Sequence, residues 1–263
     1  MSIFICPKCK TPLSNEGNSL FCQNRHCFDK SKYKYVNLLL QNGGQTHGDN
    51  KLMIKSRKCF LDKGYYSHLR VALCQSINKY LSSGVILDAG CGEGYYLDGL
   101  GGTSFDLYGI DISKDALIYA SKRQTKIQTA VASVYSMPVA DNSCDAVLSV
   151  FSPFAREEFL RVLKNSGYLF SVIPNSLHLI DLKRAVYETP YENAVDDFEV
   201  EGFELVDDVK VEKTIHLENN EDIMNLMSMT PYFYRTSARD IEKLKELPSL
   251  DTLTQFNILV YKK

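Results

Sequence analysis

A glycine-rich turn between two apolar segments constrains the fold of this chain most strongly. Residues 85–89 have the composition of a short buried strand, the sequence GCGEG follows at 90–94, and a second apolar segment ends at Asp111. Glycines permit a sharp turn and allow a ligand to approach the backbone where a Cβ atom would collide. An acid at the end of the second strand can accept hydrogen bonds from ribose hydroxyls. The pattern predicts an α/β domain with a Rossmann-like sheet that binds a nucleoside.

The same turn distinguishes between two nucleoside cofactors. A dinucleotide site requires the spacing GxGxxG, but Tyr95 stands at the position of the third glycine. S-adenosylmethionine has no pyrophosphate, so its loop has only to admit the adenosyl and methionine parts. We therefore predict an S-adenosylmethionine-dependent methyltransferase, with a nucleoside-binding domain that lacks catalysis as the alternative. The predicted cofactor contacts are Asp88, Gly90, Gly92, Gly94 and Asp111.

The segments after this turn continue the alternation of strands and helices. Strands are predicted at residues 107–111, 128–132, 145–150, 168–173, 203–216 and 252–261. Helices are predicted at residues 95–100, 113–121, 154–164, 221–227 and 239–246. Ligands bind at the carboxyl ends of strands in open α/β sheets. Ser152, Pro153 and Phe154, which follow the strand at 145–150, are therefore candidates for placing the target, with Phe151 and Phe154 as candidates for stacking on a base. The aromatic cluster at 231–235 is interpreted as core in preference to a platform for stacked bases, which stays the alternative.

A cluster of cysteines near the N-terminus predicts a metal site. Cys6 and Cys9 form a CxxC pair, and Cys22 follows after twelve residues, with His26 and Cys27 shortly behind it. Two such pairs on neighbouring turns complete the tetrahedral ligand set of a structural Zn²⁺. A segment of this size cannot bury enough apolar surface to fold without a bound metal ion. A redox CxxC is less consistent with the surrounding sequence, and the spacing alone leaves His26 and Cys27 open as the fourth ligand.

The charge of the chain is divided unevenly along its length. Residues 1–80 contain 13 lysines and arginines against 4 acids, whereas residues 81–263 contain 17 against 28. A polyanion responds to a local basic surface and not to the molecular total. Lys32, Tyr33, Lys34 and Tyr35 add the alternation of cations and aromatic rings that suits RNA. The first third of the chain is therefore predicted to bind RNA, although a solvated basic helix gives a similar pattern.

The composition also limits the organisation of the chain. Leu69, Leu73, Ile77 and Leu81 recur at four-residue steps, which predicts helix from Lys51 to about Ser82. The segment 41–50 reads as a linker. We predict a zinc-binding module at 1–40, a basic linker with helices at 41–82, and a methyltransferase domain at 83–263. No apolar run is long enough to cross a membrane and no signal peptide is recognisable, so a cytoplasmic protein is expected.

The motifs together resemble a known family, the bacterial 23S ribosomal RNA guanine-N1 methyltransferases with an N-terminal zinc finger. The resemblance runs nearly end to end. It rests on CPKCKTPL at 6–13, the HxFD of 26–29, YVNLL at 35–39, FLDKGYY at 60–66, LDAGCGEGYY at 87–96 and MTPYFYR at 229–235. It implies methyl transfer to N1 of a guanine in a hairpin of 23S ribosomal RNA.

The resemblance also implies roles for individual residues. It selects Cys6, Cys9, Cys22 and His26 as the zinc ligands, and it places Tyr66, Gly92, Glu93 and His178 beside the cofactor. Amino-group methyltransferases carry (D/N)PP(Y/F) where this chain has Ser152-Pro153-Phe154. The missing acid or amide is compatible with a ring nitrogen as the target. The base that removes the N1 proton stays open among Glu157, Glu158 and a water molecule.

Two other functions and the oligomeric state stay open at this point. A small-molecule methyltransferase with a structural zinc finger is the main alternative, and it would leave the basic N-terminal third without a use. A non-catalytic RNA-binding module is disfavoured by the intact glycine turn and by Asp111. The sequence leaves a homodimer possible.

Overall fold

The computed structural model describes residues 2–40, 49–195 and 198–263. Most of the predicted linker at 41–50 lies outside these residues. The strands are β1 Leu13–Glu16, β2 Ser19–Cys22, β3 Cys27–Asp29, β4 Val36–Asn37, β5 Ser83–Ala89, β6 Ser104–Asp111, β7 Gln128–Val131, β8 Cys144–Val150, β9 Leu163–Pro174, β10 Glu204–Leu217 and β11 Leu250–Lys262. The α-helices are α1 Lys51–Asp62, α2 Ser67–Tyr80, α3 Tyr95–Asp98, α4 Lys114–Ala120, α5 Arg156–Val162, α6 Ile180–Val186, α7 Asn220–Ser228 and α8 Ala238–Lys245.

Eight of the strands form one mostly parallel sheet in the order β10-β11-β9-β8-β5-β6-β7-β4. The strands from β4 to β9 run parallel, and β11 lies antiparallel between β9 and β10. The order reverses at β5, because the chain continues to β6 on one side while β8 lies on the other. In an open α/β sheet, a crevice forms at the carboxyl ends of the strands where the strand order reverses. The glycine turn follows β5 at this point.

The central strands bury both of their faces. Ile86 packs in one hydrophobic cluster and its neighbour Leu87 packs in the other, and Leu148 and Val147 alternate in the same way. Successive side chains of a strand point to opposite faces of the sheet. Parallel strands that are covered by helices on both faces therefore have continuous apolar sequences. For this reason the central strands could be predicted from the sequence.

The helical segment before the sheet is interrupted, contrary to the prediction of continuous helix from Lys51 to about Ser82. α1 ends at Asp62 and α2 begins at Ser67, with Gly64 at φ +81° between them. A left-handed residue cannot continue a right-handed helix, so the chain turns here. The predicted core residues Leu69, Leu73 and Ile77 are buried against the sheet. The helices at 51–80 thus share the core of the methyltransferase sheet, and the boundaries at 40 and 82 stay a prediction.

The N-terminal module (residues 2–40) is joined to the edge of the large sheet. It has a three-stranded antiparallel sheet, β1-β2-β3, and its last strand, β4, pairs in parallel with β7. The amide of Ile5 donates to the carbonyl of Pro138, and the rings of Phe4 and Tyr108 are in a T-shaped, edge-to-face contact. These contacts fix the module on the sheet edge.

Most of the predicted strands and helices are confirmed in type, with shifted ends. β9 begins at Leu163, five residues before its predicted start, and α5 is correspondingly shorter. The helix α6 at Ile180–Val186 is absent from the sequence analysis. In the described part of the chain, no helix is long and apolar enough to span a membrane.

Candidate cofactor site and metal centre

The glycine turn (residues 90–94) is held against the end of β6 by backbone hydrogen bonds. The amides of Gly90 and Cys91 both donate to the carbonyl of Ile110, at 2.9 Å each. Gly90 has φ +89°, and a Cβ atom at this position would lie 2.6 Å from the Cβ atom of Ser152. Only glycine satisfies both the backbone conformation and the close approach of the chain.

Asp111 braces this turn from the end of β6. One carboxylate oxygen accepts a hydrogen bond from the amide of Gly92 and the other accepts one from the amide of Ser113, both at 2.8 Å. Burial raises the pKa of Asp111, and the two backbone amides oppose that shift. The carboxylate therefore orients the turn and the start of α4 together.

A cavity of about 700 Å³ opens beside the turn. Gly92 has φ +53°, and a Cβ atom built there would meet no protein atom within 4 Å. The Oδ1 atom of Asp88 is buried without a hydrogen-bond partner among the described residues. Burial, with the nearby charge of Asp111, raises the pKa of Asp88 to about 8. Open space beside a glycine and an unpaired polar atom fit a bound polar ligand such as S-adenosylmethionine.

Six of the eight predicted cofactor contacts border this cavity: Tyr66, Asp88, Gly90, Gly92, Glu93 and His178. Gly94 and Asp111 do not border it. Gly94 has φ +75° and lies where a Cβ atom would be 3.3 Å from the Cβ atom of Ala120, so it permits close packing of α4. Asp111 acts on the cavity through Gly92.

His178 and Tyr66 form a buried aromatic corner of the cavity. Their ring centroids are 6.3 Å apart, and the ring of Phe256 lies 4.5 Å from that of His178. Burial, followed by the charge of Lys183, lowers the pKa of His178 to about 3. The imidazole is thus neutral at physiological pH. Its Nδ1 atom accepts a hydrogen bond from the amide of Gln255, which leaves the proton on Nε2.

Glu93 connects the turn to the surface. Its Oε1 atom accepts a hydrogen bond from Arg123 at 2.6 Å, and Arg123 also contacts Asp62 of α1. Burial raises the pKa of Glu93 to about 7, and the positive charge of Arg123 opposes the shift. The Oε2 atom has no partner among the described residues, so one carboxylate oxygen is free to meet a ligand.

The candidates for placing the target have other neighbours. The hydroxyl of Ser152 donates to the carbonyl of Ala89 at 2.6 Å and thereby braces the start of the turn. Pro153 and Phe154 do not border the cavity, and the ring of Phe154 packs on Phe159. Phe151 does border it, with φ +54° and 47% of its surface exposed. A role for Pro153 and Phe154 stays a prediction, while the geometry favours Phe151 as the stacking ring.

A second wall of the cavity lies outside the glycine turn, and sequence reasoning did not assign it to the site. This second wall consists of the cavity-lining residues of 191–194 and 229–235. The cluster at 231–235 was interpreted mainly as core, and Phe233 does pack against the hydrophobic core. Tyr232 and Arg235, however, border the cavity. The signal available was the density of aromatic residues beside an arginine, which is typical of surfaces on which bases stack.

The four predicted metal ligands are brought together at the start of the chain. The thiol sulfur atoms of Cys6, Cys9 and Cys22 and a ring nitrogen of His26 all lie within 4.8 Å of one another. The Nδ1 atom of His26 is 3.4 Å from the sulfur atoms of both Cys6 and Cys22. Cys27 is exposed and its thiol faces Asp29, outside this cluster.

The chemistry of the four side chains fits zinc. Three sulfur ligands and one imidazole nitrogen match a closed structural Zn²⁺ site. The hydroxyl of Thr11 lies 3.2 Å from the thiol of Cys9 and lowers its pKa to about 5, which favours the thiolate form that binds metal. The tight turn after Cys6, where the amide of Lys10 donates to the Cys6 carbonyl, directs both thiols of the CxxC pair inward.

The sheet, the glycine turn and the cysteine cluster define the class of this protein. It is an S-adenosylmethionine-dependent methyltransferase that carries an N-terminal zinc ribbon. Residues 87–171 match a family model described as a methyltransferase domain, and residues 4–42 match the zinc-ribbon family described as "RlmA, N-terminal".

Two curated relatives cover almost the whole chain. A Bacillus subtilis protein, YxjB, named as a candidate 23S rRNA (guanine-N(1)-)-methyltransferase, is 34% identical over 98% of this chain and 96% of its own length. The 23S rRNA (guanine(748)-N(1))-methyltransferase of Streptomyces fradiae is 27% identical over 95% of this chain and 92% of its own length. The chain belongs to the family of the 23S rRNA (guanine-N1)-methyltransferases.

Removal of a zinc ligand is expected to unfold the N-terminal module. The purified protein should hold about one Zn²⁺ per chain, since a module this small depends on its metal for folding. Cys9→Ser should reduce the zinc content, as measured by elemental analysis, and should expose residues 2–40 to proteolysis. The matched control is Cys27→Ser, whose thiol lies outside the cluster and whose zinc content should equal that of the parent. Loss of zinc in Cys27→Ser together with retention in His26→Ala would show that the fourth ligand is Cys27.

Substitution of Asp111 is expected to weaken cofactor binding although its side chain does not border the cavity. Asp111→Ala removes the acceptors for the Gly92 and Ser113 amides and so frees the turn. The loss should be about 2 kcal/mol, which corresponds to a roughly 30-fold higher Kd for S-adenosylmethionine in calorimetry. Asp106→Ala, at the exposed opposite end of β6, is the matched control and should bind as the parent does. Equal affinity of Asp111→Ala and the parent would contradict the bracing role.

Proposed function

We propose that this protein transfers the methyl group of S-adenosylmethionine to N1 of a guanine in a hairpin of 23S ribosomal RNA. The observation that carries the proposal is that one cavity is bordered both by the glycine turn and by exposed aromatic and polar side chains. Phe151 and Tyr191 are exposed at 47% and 45%, and both border the cavity together with Tyr232 and Arg235. Such a surface suits a flat heterocycle that has left its helix.

The protein's part in the reaction is to align two partners and exclude water. S-adenosylmethionine supplies an electrophilic methyl group on a sulfonium. The glycine turn would orient the bound cofactor. The neutral His178 adds no positive charge that would repel the sulfonium. Phe151 is placed to stack on the target base beside the turn. In-line displacement benefits mainly from such positioning, which is worth several orders of magnitude in rate.

A second cavity of about 780 Å³ supports RNA as the macromolecular substrate. It lies between the N-terminal module and the segment from 120 to 129, and we call it the basic groove. Lys30, Lys34, Arg123 and Lys126 border it, as does Tyr33, and none of the described residues that border it is an acid. Lys34 and Lys126 are exposed. Cations beside an aromatic ring, with no carboxylate among them, suit a phosphate backbone with unpaired bases.

The remaining parts of the proposal concern ligands, boundaries and setting. We propose Cys6, Cys9, Cys22 and His26 as the zinc ligands, and the six cavity-lining residues named above as cofactor contacts with Gly94 and Asp111 as supports. The zinc module at 1–40, the segment at 41–82 and the domain at 83–263 are proposed as the division of the chain. Because the proposed substrate is ribosomal RNA, we propose a cytoplasmic location. A homodimer is proposed as the oligomeric state.

Charge reversal in the basic groove is expected to weaken RNA binding and leave cofactor binding intact. Lys34→Glu/Lys126→Glu should lower the affinity for the hairpin by roughly tenfold or more, because contacts with phosphate are lost. Each lost contact should also reduce the slope of log affinity against log salt concentration by about one. The measurement is a titration of labelled RNA with the full-length protein at several salt concentrations, combined with calorimetry for S-adenosylmethionine.

The control for this variant is an equal charge change at the opposite edge of the sheet. Lys210 and Lys262 are exposed on β10 and β11. Lys210→Glu/Lys262→Glu should bind RNA nearly as the parent does, since it changes net charge without touching the groove. Equal losses in the two variants would indicate a general effect of net charge. A parent protein that methylates a small metabolite and never RNA would support the small-molecule alternative.

A further inference from the structure

Three carboxylates of the described residues border the cofactor cavity, and they differ in position. Asp88 precedes the glycine turn, Glu93 belongs to it, and both are buried. Glu192 belongs to the second wall and is exposed. It has no ion pair among the described residues. Among the described residues, the cavity thus has one solvent-accessible carboxylate, and that carboxylate lies on the second wall.

The backbone on both sides of Glu192 is fixed, although the segment is neither helix nor strand. The amide of Asn193 donates to the carbonyl of Ser176 at 2.8 Å. The side-chain amide of Asn193 donates to the carbonyls of Asn175 and His178, at 2.9 and 3.2 Å. The hydroxyl of Tyr232 donates to the Oδ1 atom of Asn193 at 2.7 Å. Asn193 therefore ties Glu192 to the corner that contains His178.

A buried ammonium completes this support. Lys183 is 1% exposed, and its Nζ atom donates to the carbonyl of Tyr191 at 3.0 Å and to the Oδ1 atom of Asn193 at 2.7 Å. The same atom lies 4.3 Å from the ring centroid of Tyr191 and 4.9 Å from that of Tyr232. Lys183 thus holds the residues before and after Glu192, together with an aromatic ring from each part of the second wall. A buried lysine without such partners would be expensive.

The carboxylates considered from sequence are placed elsewhere. Glu158 accepts hydrogen bonds from Arg161 and from the amide of Met137, so its oxygens are occupied. Glu157 is largely exposed beside Arg156. Neither residue borders the cavity. The structure therefore offers neither as a group in contact with the target base.

The Watson–Crick edge of guanine presents two parallel donors, the N1–H and the exocyclic amino group. A carboxylate has two acceptor oxygens with matching spacing, and it is the only amino-acid side chain that can accept both bonds and then keep a proton. We propose that Glu192 accepts these two hydrogen bonds from the target guanine and acts as the base for its N1 proton. This inference rests on the proposed function of the same cavity.

The step balances without a further reactant. The N1–H bond breaks and its proton passes to a carboxylate oxygen of Glu192. The electron pair left on N1 forms the new bond to the methyl carbon, and the bond from that carbon to sulfur breaks with its electrons remaining on sulfur. The sulfonium charge is thereby neutralised, and the proton leaves Glu192 for solvent after the product departs. Lys183 is a positioning residue in this scheme.

The test compares Glu192→Gln with a matched control, Glu188→Gln, in the full-length protein. Glu188 is exposed four residues earlier in the same segment and does not border the cavity. Glu192→Gln should lower the single-turnover rate on the RNA hairpin by about 100-fold or more, which is the usual contribution of a general base. Its Kd for S-adenosylmethionine should equal that of the parent, and Glu192→Asp should recover part of the rate. Glu188→Gln should react as the parent does.

The pH profile and a base analogue separate catalysis from a merely structural effect. The rate of Glu192→Gln should rise about tenfold per pH unit, as the fraction of guanine without its N1 proton increases. Among the described residues, the other titratable or charged groups around this wall are Lys183, Tyr187, Tyr191, Tyr232, Arg235 and His178, and all are unchanged in the variant. Hairpins with inosine at the target lack the exocyclic amino group. They should react more slowly than guanine with the parent, and this difference should disappear in Glu192→Ala.

Two results would overturn the inference, and they can be told apart. A parent that methylates guanine N1, with a Glu192→Gln variant of equal rate and equal pH profile, would remove Glu192 from the reaction and leave the proposed function standing. A parent that methylates RNA at a position other than guanine N1 would overturn both proposals.

Discussion

The carboxylate of Asp111 is the contact on which the cofactor site depends. It accepts the amide of Gly92 from the turn after β5 and the amide of Ser113 at the start of α4. These two amides belong to segments that meet only because β5 and β6 are adjacent parallel strands. A buried carboxylate is costly unless its lone pairs are filled, so the two hydrogen bonds also fix the separation of the strand ends. The open space beside Gly92 follows from this arrangement.

The rest of the site is assembled from distant parts of the sequence onto that frame. The second wall is anchored by Lys183 of α6, which contacts Tyr191, Asn193 and the ring of Tyr232. The N-terminal module attaches at the other edge of the sheet through β4 and Phe4. Arg123 borders the basic groove and also holds Glu93 of the cofactor turn. One side chain therefore contacts both the groove and the cofactor site.

The features that could be predicted from the sequence depend on interactions between residues that are close together along the chain. The glycine turn needs left-handed residues and close approach over five positions, and metal ligation needs cysteines on two tight turns. Both requirements leave a spacing that can be read directly. The interruption at Gly64 was missed because the apolar repeat continues across it from Phe60 to Leu69. A single glycine in such a repeat is compatible with either a turn or a continuous helix.

The second wall could not be predicted, because its residues become neighbours only in the folded chain. Glu192 lies in an irregular segment without a motif, and its placement depends on Lys183 and Asn193 together. Phe151 and Phe154 were both candidates for stacking, and the sequence did not predict φ +54° at Phe151, whose side chain borders the cavity. Such a conformation is uncommon for a bulky residue and is set by tertiary contacts.

The most direct measurement is a map of methylated bases in 23S ribosomal RNA from cells with and without this protein. Mass spectrometry of RNA fragments should find one N1-methylguanine in a hairpin of the parent strain and an unmodified guanine at that position in the deletion strain. Expression of the protein should restore the mark. Identical methylation of ribosomal RNA in the two strains would contradict the assignment of 23S ribosomal RNA as the substrate.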